Sequence, residues 1–359
     1  MKRKLSTFCA TVCTLLLAAG FLLVFFFAQR AGIKETVKCI TGLVYGFVFA
    51  PVLHEMGHIA FAGITKMRVV YAKFFCFKLY TKGKKKRFVL ASPFAADQTQ
   101  AVPLVGGNMQ KRAKLYTLGG LIVEGAVFFL VLAAAIILLV ALDKTSYVLW
   151  GITPYAGYLF LLNVLPCEYG GGKTDMRVYL GLKKGYAEEK NMLAAMEIQG
   201  RLSEGKSFSE IEETYYFDVP QIAEDEPLFA VMLDLRYRYY LEKEDMRNAA
   251  ICLNRLASVQ EYLSDEEMQR LAAELVYMHA VNGNFDAAEE SGKCCKEFLQ
   301  GETATAKRAL AAYVAAFGDE GKEERLRALL AQAETALADE PIKGVEKFER
   351  ILLSRLPSA

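Results

Sequence analysis

The sequence predicts a mainly α-helical protein with a polytopic membrane domain at residues 1–182 and a soluble helical domain at residues 183–359. Long apolar stretches, of the roughly 20 residues that a hydrocarbon core requires, are confined to the part before about residue 166. After residue 183 the chain is charged and helix-prone. The chain is 53% hydrophobic overall and has a formal charge of +2. This charge argues against nucleic acid as the main partner.

The first predicted span, residues 5–28, follows the basic residues Lys2, Arg3 and Lys4. Its apolar stretch is too long for a signal peptide, whose apolar core has about 7–15 residues. We therefore expect an uncleaved anchor with its N-terminus in the cytoplasm. The second predicted span, residues 39–64, follows a short polar connection and returns to the cytoplasmic side.

The second span contains the pentapeptide His54-Glu55-Met56-Gly57-His58. His54 and His58 are four residues apart and so share one helix face, where two imidazoles can bind one zinc ion. Glu55 is the base in H-E-x-x-H chemistry and does not bind the metal. The motif also recurs by chance in soluble helices. However, the chain has only three histidines, and ionisable groups are costly in lipid. The sequence therefore predicts a metal site with Zn²⁺ as the cofactor.

The segment between the second and third spans is rich in lysine and arginine and has a single acid, Asp97. This charge indicates the cytoplasmic side. Residues 69–80 and 87–92 are rich in aromatic and β-branched residues and flank a turn at 81–84, so they predict a membrane-associated β-hairpin. Its basic tip either contacts anionic lipid or is a solvated turn that sets the topology.

The third predicted span, residues 115–142, contains one charge, Glu124, which should face protein or a wet cavity. The fourth span, residues 147–166, returns the chain to the cytoplasm and leads through a glycine-rich stretch to Asp175. A catalytic zinc site usually takes three protein ligands. Asp175 and Glu168 are the nearby candidates for the third ligand, and Glu124 is a more distant one.

The soluble domain shows repeated helical periodicity, with capping-box patterns at 207–210 and 264–267. The predicted helices span residues 228–241, 246–263, 266–281, 285–299, 305–317 and 322–337. Similar tripeptides at 248–250 and 286–288 open the second helix of successive pairs. This weak internal repeat resembles a degenerate tetratricopeptide-type (TPR-like) solenoid, and a plain helical bundle is the alternative.

The membrane domain resembles the site-2 protease family of intramembrane zinc metalloproteases over about residues 39–180. The resemblance rests on the HEMGH pentapeptide in an early span and on Asn163-x-x-Pro166, followed by glycines and Asp175, at the end of a later one. It implies that His54, His58 and Asp175 hold Zn²⁺ and that Glu55 is the general base.

The chain departs from the family pattern in three places, one of which is an interval from Asn163 to Asp175 that is longer than in the commonest versions. Asp175 is followed by Met176 where the family has Asp-Gly, and the family's Gly-Pro-x-x-Asn reads Gly120-Leu121-Ile122-Val123-Glu124. By this correspondence Glu124, together with Asn163, is expected to position the substrate.

The resemblance implies hydrolysis of a transmembrane or membrane-proximal segment of a protein substrate. The expected location is a bacterial cell membrane, with the N-terminus and the helical domain in the cytoplasm. Expected partners are the membrane protein substrate, the lipid bilayer and a protein bound by the helical domain.

The alternative is a non-catalytic membrane adaptor whose helical domain binds a partner. A metal transporter or metal-storage protein is a third possibility. Glu55 favours catalysis, since a structural metal site needs no base.

Overall fold

The mainly helical fold predicted from the sequence is confirmed in a computed structural model, which describes residues 2–82, 85–92, 97–169, 172–259, 261 and 263–357. The chain divides into two compact units. Among the described residues, the first extends to Glu189, except for short pieces at Lys85 and at 103–107. These pieces belong to the second unit, which otherwise begins at Lys190.

The chain up to Lys184 contains five helices among its described residues, and these are α1 (Lys2–Ala31), α2 (Ile33–Ile64), α3 (Met109–Leu142), α4 (Tyr147–Val164) and α5 (Asp175–Lys184). The strands in the same part of the chain are β1 (Met67–Phe74), β2 (Phe77–Lys82), β3 (Lys85–Leu90), β4 (Gln98–Pro103), β5 (Glu168–Tyr169) and β6 (Gly172–Lys173).

Three of these helices are long and apolar enough to cross a membrane, namely α1 from Ser6 to Ala31, α2 and α3. This agrees with a membrane protein. The predicted polar connection between the first two spans is reduced to Gly32, whose φ of 120° is readily adopted only by glycine. Helix α4 has 18 residues and lies in the fourth predicted span; its crossing of the membrane stays a prediction.

Helices α2 and α4 pack closely because small residues face each other at their crossing. A β-carbon added at Gly42 would lie 2.1 Å from the carbonyl oxygen of Val148, and one added at Gly151 would lie 2.2 Å from that of Cys39. Apolar side chains gain little from packing against each other in lipid, so close backbone contact is an important source of helix association there. The two glycines therefore set the position of α2 beside α4.

A four-stranded sheet with the order β3-β2-β1-β4 occupies the predicted hairpin region. The structure differs from the expected single strand at residues 69–80, because a turn at Phe75 and Cys76 folds this segment into β1 and β2. Phe75 has a φ of 49°, and its backbone N–H donates to Oδ1 of Asp97 at 3.0 Å. The middle of the predicted turn, residues 83–84, lies outside the described residues.

The rest of the chain is helical in its described part. Its helices are α6 (Ala187–Glu204), a 3-10 helix (Phe208–Glu210), α7 (Thr214–Phe217), α8 (Pro227–Glu242), α9 (Met246–Ser258), α10 (Asp265–Val281), α11 (Phe285–Cys294), α12 (Lys296–Gln300), α13 (Ala304–Phe317), α14 (Lys322–Leu337) and α15 (Lys343–Ser354).

Both predicted capping boxes lie at helix starts. At Ser264 and Glu267 both bonds of the box form, and at Ser207 the backbone N–H donates to Oε2 of Glu210 at 2.9 Å. Helices α8 and α9, α10 and α11, and α13 and α14 pack as consecutive pairs. One predicted helix, residues 285–299, is divided into α11 and α12 because Cys295 leaves the helical region, with a φ of −127°. The nearby Gly292 is a poor helix former and weakens this last turn of α11.

A fully buried arginine holds three helices of the second unit together. Arg308 on α13 lies 2.8 Å from Oε1 of Glu274 on α10 and 2.7 Å from Oε2 of Glu349 on α15, and its guanidinium group stacks over the ring of Tyr277. Burial alone would raise the pKa of Glu274. The charges of Arg308 and Arg238, with hydrogen bonds from Arg308 and Tyr237, outweigh burial and hold this pKa below its usual value.

We expect Arg308→Met to destabilise the second unit by about 3–5 kcal/mol, because two buried carboxylates would lose their partner. Hydrogen-exchange mass spectrometry of the full chain in detergent measures this as a lower opening free energy for the amides of α10 and α13. Arg327→Met is the matched control, since the side chain of Arg327 is 64% exposed and its pair with Glu323 contributes little. Equal exchange in the two variants would contradict this role for Arg308.

Candidate metal centre

Three side-chain atoms from α2 and α5 converge at one point in the first unit. Nε2 of His58 lies 3.2 Å from Nε2 of His54, and Oδ2 of Asp175 lies 3.4 Å from the first of these nitrogens and 3.5 Å from the second. Apart from the two imidazoles, buried Oδ2 has no hydrogen-bond partner among the described residues. Among these residues, the three side chains are also the one group of His, Cys, Asp or Glu whose atoms are close enough to hold a metal ion.

The spacing of these atoms fits a tetrahedral metal ion. Ligands about 2.0–2.1 Å from a tetrahedral zinc ion are separated from each other by roughly 3.3–3.4 Å. The observed separations of 3.2, 3.4 and 3.5 Å match the edges of one face of such a tetrahedron. Two imidazole nitrogens and one carboxylate oxygen leave the fourth position for water or substrate, as in a catalytic site.

The orientation of each imidazole ring is set by a contact that its Nδ1 atom makes with α3. Nδ1 of His54 lies 3.0 Å from Oε2 of Glu124, which also accepts a hydrogen bond from Nδ2 of Asn163 at 3.2 Å. Nδ1 of His58 lies 3.1 Å from the backbone carbonyl oxygen of Tyr116. If each Nδ1 is the protonated nitrogen, both Nε2 atoms present their lone pairs to the metal position.

Close packing of α2 against α3 makes these contacts possible. A β-carbon added at Gly57 would lie 2.4 Å from the carbonyl oxygen of Gly119, so the two backbones nearly touch. A β-carbon added at Gly120 would lie 2.5 Å from Nε2 of His58 and 2.8 Å from Nε2 of His54. Gly120 therefore provides the space that the two imidazoles occupy.

Asp175 reaches the histidines because α5 begins at this residue. The preceding residue, Thr174, is buried, and its hydroxyl oxygen accepts hydrogen bonds from the backbone N–H groups of Arg177 and Cys167. The same hydroxyl donates to the carbonyl oxygen of Leu165 at 2.6 Å. Thr174 thus caps the helix and fixes the segment that carries Asp175.

The structure distinguishes among the candidates for the third ligand. Asp175 joins the histidines, whereas Oε1 of Glu168 lies 2.8 Å from Nε of Arg177 and its side chain is 43% exposed. Glu124 contacts the outer nitrogen of His54 and is not a member of the group. Glu124 and Asn163 were expected to position substrate. Asn163 contacts Glu124, and Glu124 contacts His54; their role toward substrate stays a prediction.

Glu55 lies on α2 between the two histidines in sequence and is buried. Its Oε2 accepts a hydrogen bond of 2.5 Å from the hydroxyl of Thr99 on β4. Thr99 and Tyr116 belong to no recognisable motif, so their contacts with the site could not be predicted from the sequence.

Comparisons with protein-family models, with curated proteins and with solved structures found no match to this chain. The functional interpretation therefore depends on the geometry of the chain itself.

We expect Asp175→Asn to lower the zinc content of the detergent-purified chain from about one ion to well below one, because the amide loses the anionic oxygen that faces the two histidines. Glu168→Gln is the matched control and should keep the zinc, since Glu168 pairs with Arg177. Elemental analysis of zinc per chain makes the comparison. Zinc lost from Glu168→Gln but kept by Asp175→Asn would reverse the assignment of the third ligand.

We expect Gly120→Ala to weaken zinc binding by about tenfold or more, because the new methyl group displaces the imidazoles. The displaced atoms are the far ends of side chains, so the helices should stay packed. Gly63→Ala, on α2, is the control because a β-carbon there meets nothing within 4 Å. Competition with a chelator of known affinity, alongside circular dichroism, measures zinc affinity and helix content. Equal zinc affinity in the two variants would refute this role for Gly120.

Proposed function

We propose that this chain is an intramembrane zinc metalloprotease of the site-2 protease type, which hydrolyses a transmembrane or membrane-proximal segment of a protein substrate. The observation that carries the proposal is the buried carboxylate of Glu55, next in sequence to His54 and on the helix that supplies two of the three converging ligand atoms. A purely structural metal site needs no such base. In its described part the chain has three helices suited to cross a membrane, which supports a substrate that is itself in the membrane.

His54, His58 and Asp175 would hold the metal, and the two histidines and one carboxylate are a donor set that suits Zn²⁺. Zinc bound there supplies Lewis-acid activation of a water molecule and of the peptide carbonyl. Glu55 takes a proton from the water molecule while the oxygen of that water forms a bond to the carbonyl carbon. Glu55 then donates the proton to the amine nitrogen as the C–N bond breaks.

The same proposal covers the membrane topology, the role of the helical unit and the position of the basic sheet. We infer that α1 to α4 are four membrane spans in a bacterial cell membrane, with the N-terminus and the helical unit in the cytoplasm. The paired helices of the second unit support a TPR-like domain that binds a protein partner or recruits substrate. The basic residues around the sheet support a cytoplasmic position beside anionic lipid.

The test is cleavage of a panel of single-span transmembrane peptides by the zinc-loaded chain, with products identified by mass spectrometry. We expect Glu55→Gln to slow cleavage by about 10²-fold or more while keeping about one zinc per chain, because the amide cannot accept the proton. Glu35→Gln on the same helix is the control, since Glu35 pairs with the exposed Lys38 one turn away and such a pair contributes little.

A wild-type chain that holds zinc but cleaves no peptide, or a Glu55→Gln variant that is as fast as the wild type, would count against the protease. The non-catalytic adaptor would then become the better proposal.

A further inference from the structure

The edge strand of the sheet contacts the proposed base directly. The hydroxyl of Thr99 on β4 donates a hydrogen bond of 2.5 Å to Oε2 of Glu55. A hydroxyl bound to a carboxylate at this distance is a strong, charge-assisted hydrogen bond. No hydrogen bond reaches Oε1 of Glu55 within the described part of the chain, so this oxygen is available to a water molecule.

Thr99 is itself held in place by α3. Its backbone carbonyl oxygen accepts a hydrogen bond of 2.9 Å from the hydroxyl of Tyr116. The carbonyl oxygen of Tyr116 in turn lies 3.1 Å from Nδ1 of His58. A single residue of α3 therefore fixes both the strand that holds Glu55 and the ring of a metal-ligand candidate.

The residue before β4 is anchored as well. Asp97 precedes the strand, and its Oδ1 lies 2.7 Å from Nζ of Lys73 and accepts a hydrogen bond from the backbone N–H of Phe75. The side chain of Lys73 is 2% exposed, so this ion pair is largely removed from water. A buried ion pair of this kind is costly to break, and it limits the movement of the chain two residues before Thr99.

We propose that Thr99 is a positioning residue for the hydrolysis, which holds the carboxylate of Glu55 through Oε2 and leaves Oε1 for the water. The inference rests on the proposed function in one respect, because it takes Glu55 as the base. A base must lie within hydrogen-bond reach of the proton it removes, and a small displacement lowers the rate strongly. Tyr116 supports this arrangement through its hydroxyl group.

The experiment compares Thr99→Val, which loses the hydroxyl at nearly constant shape, with Thr99→Ser, which keeps it. Thr41→Val is the matched control, since the hydroxyl of Thr41 donates to the carbonyl oxygen of Val37 in its own helix. We expect Thr99→Val to lower kcat by roughly 10- to 100-fold on the transmembrane peptide that the wild type cleaves best, with KM and zinc content nearly unchanged. Thr99→Ser should recover most of kcat, and Tyr116→Phe should lower it by a smaller factor.

A second readout does not depend on turnover. Leucine hydroxamate binds zinc through its two oxygens, and its acidic proton is accepted by a correctly placed Glu55. We expect Thr99→Val to weaken its binding to the zinc-loaded chain about tenfold, measured by calorimetry, and Thr99→Ser to restore it.

The outcomes separate this inference from the proposed function. An active wild type with an equally active Thr99→Val, or a Thr99→Ser that is as impaired as Thr99→Val, overturns the positioning role and leaves the protease intact. Zinc lost from Thr99→Val also overturns it, since the residue would then be structural. A wild type that cleaves no peptide refutes the protease, and equal hydroxamate affinity in wild type and Thr99→Val then refutes the positioning role as well.

Discussion

The close approach of α2 and α3 is the constraint on which the site depends. With side chains at Gly57, Gly119 or Gly120, the helices would be held further apart or the imidazoles would be displaced. At the observed approach, Tyr116 and Glu124 on α3 reach the outer nitrogens of the two histidines. The glycines contribute no ligand atom, yet they decide whether the ligand atoms can meet.

Buried polar groups in the site are arranged in connected pairs. Glu124 contacts His54 and Asn163, Thr99 contacts Glu55, and the carbonyl of Tyr116 contacts His58. Each such group would be costly in an apolar surrounding without its partner. The same contacts fix the orientation of the side chains, so stability and preorganisation have a common origin here.

The sequence predicted the parts of the site that depend on local periodicity. The four-residue spacing of His54 and His58 was sufficient to place both imidazoles on one face of α2, and both capping boxes were recognisable from four residues each. To choose Asp175 over Glu168 without the family resemblance, one needs the start of α5 at Asp175, capped by Thr174, and the pairing of Glu168 with Arg177. Neither feature has a local signal in the sequence. The contacts of Glu124 and Thr99 join distant segments, so no spacing rule could reveal them. The turn that divides residues 69–80 into two strands contacts Asp97 through the N–H of Phe75, and this partner is also distant in sequence.

The origin of the ligand atoms links metal occupancy to the folding of the first unit. His54 and His58 belong to α2, whereas Asp175 lies beyond α3 and α4, so a metal ion there would cross-link segments that are far apart in the chain. An ion that binds only the folded chain stabilises it by mass action, and a cross-link that closes a long loop also restricts the unfolded ensemble. Metal supply would then control not only the chemistry but also the lifetime of the folded membrane unit, so that chains starved of metal become the preferred targets of quality-control proteolysis.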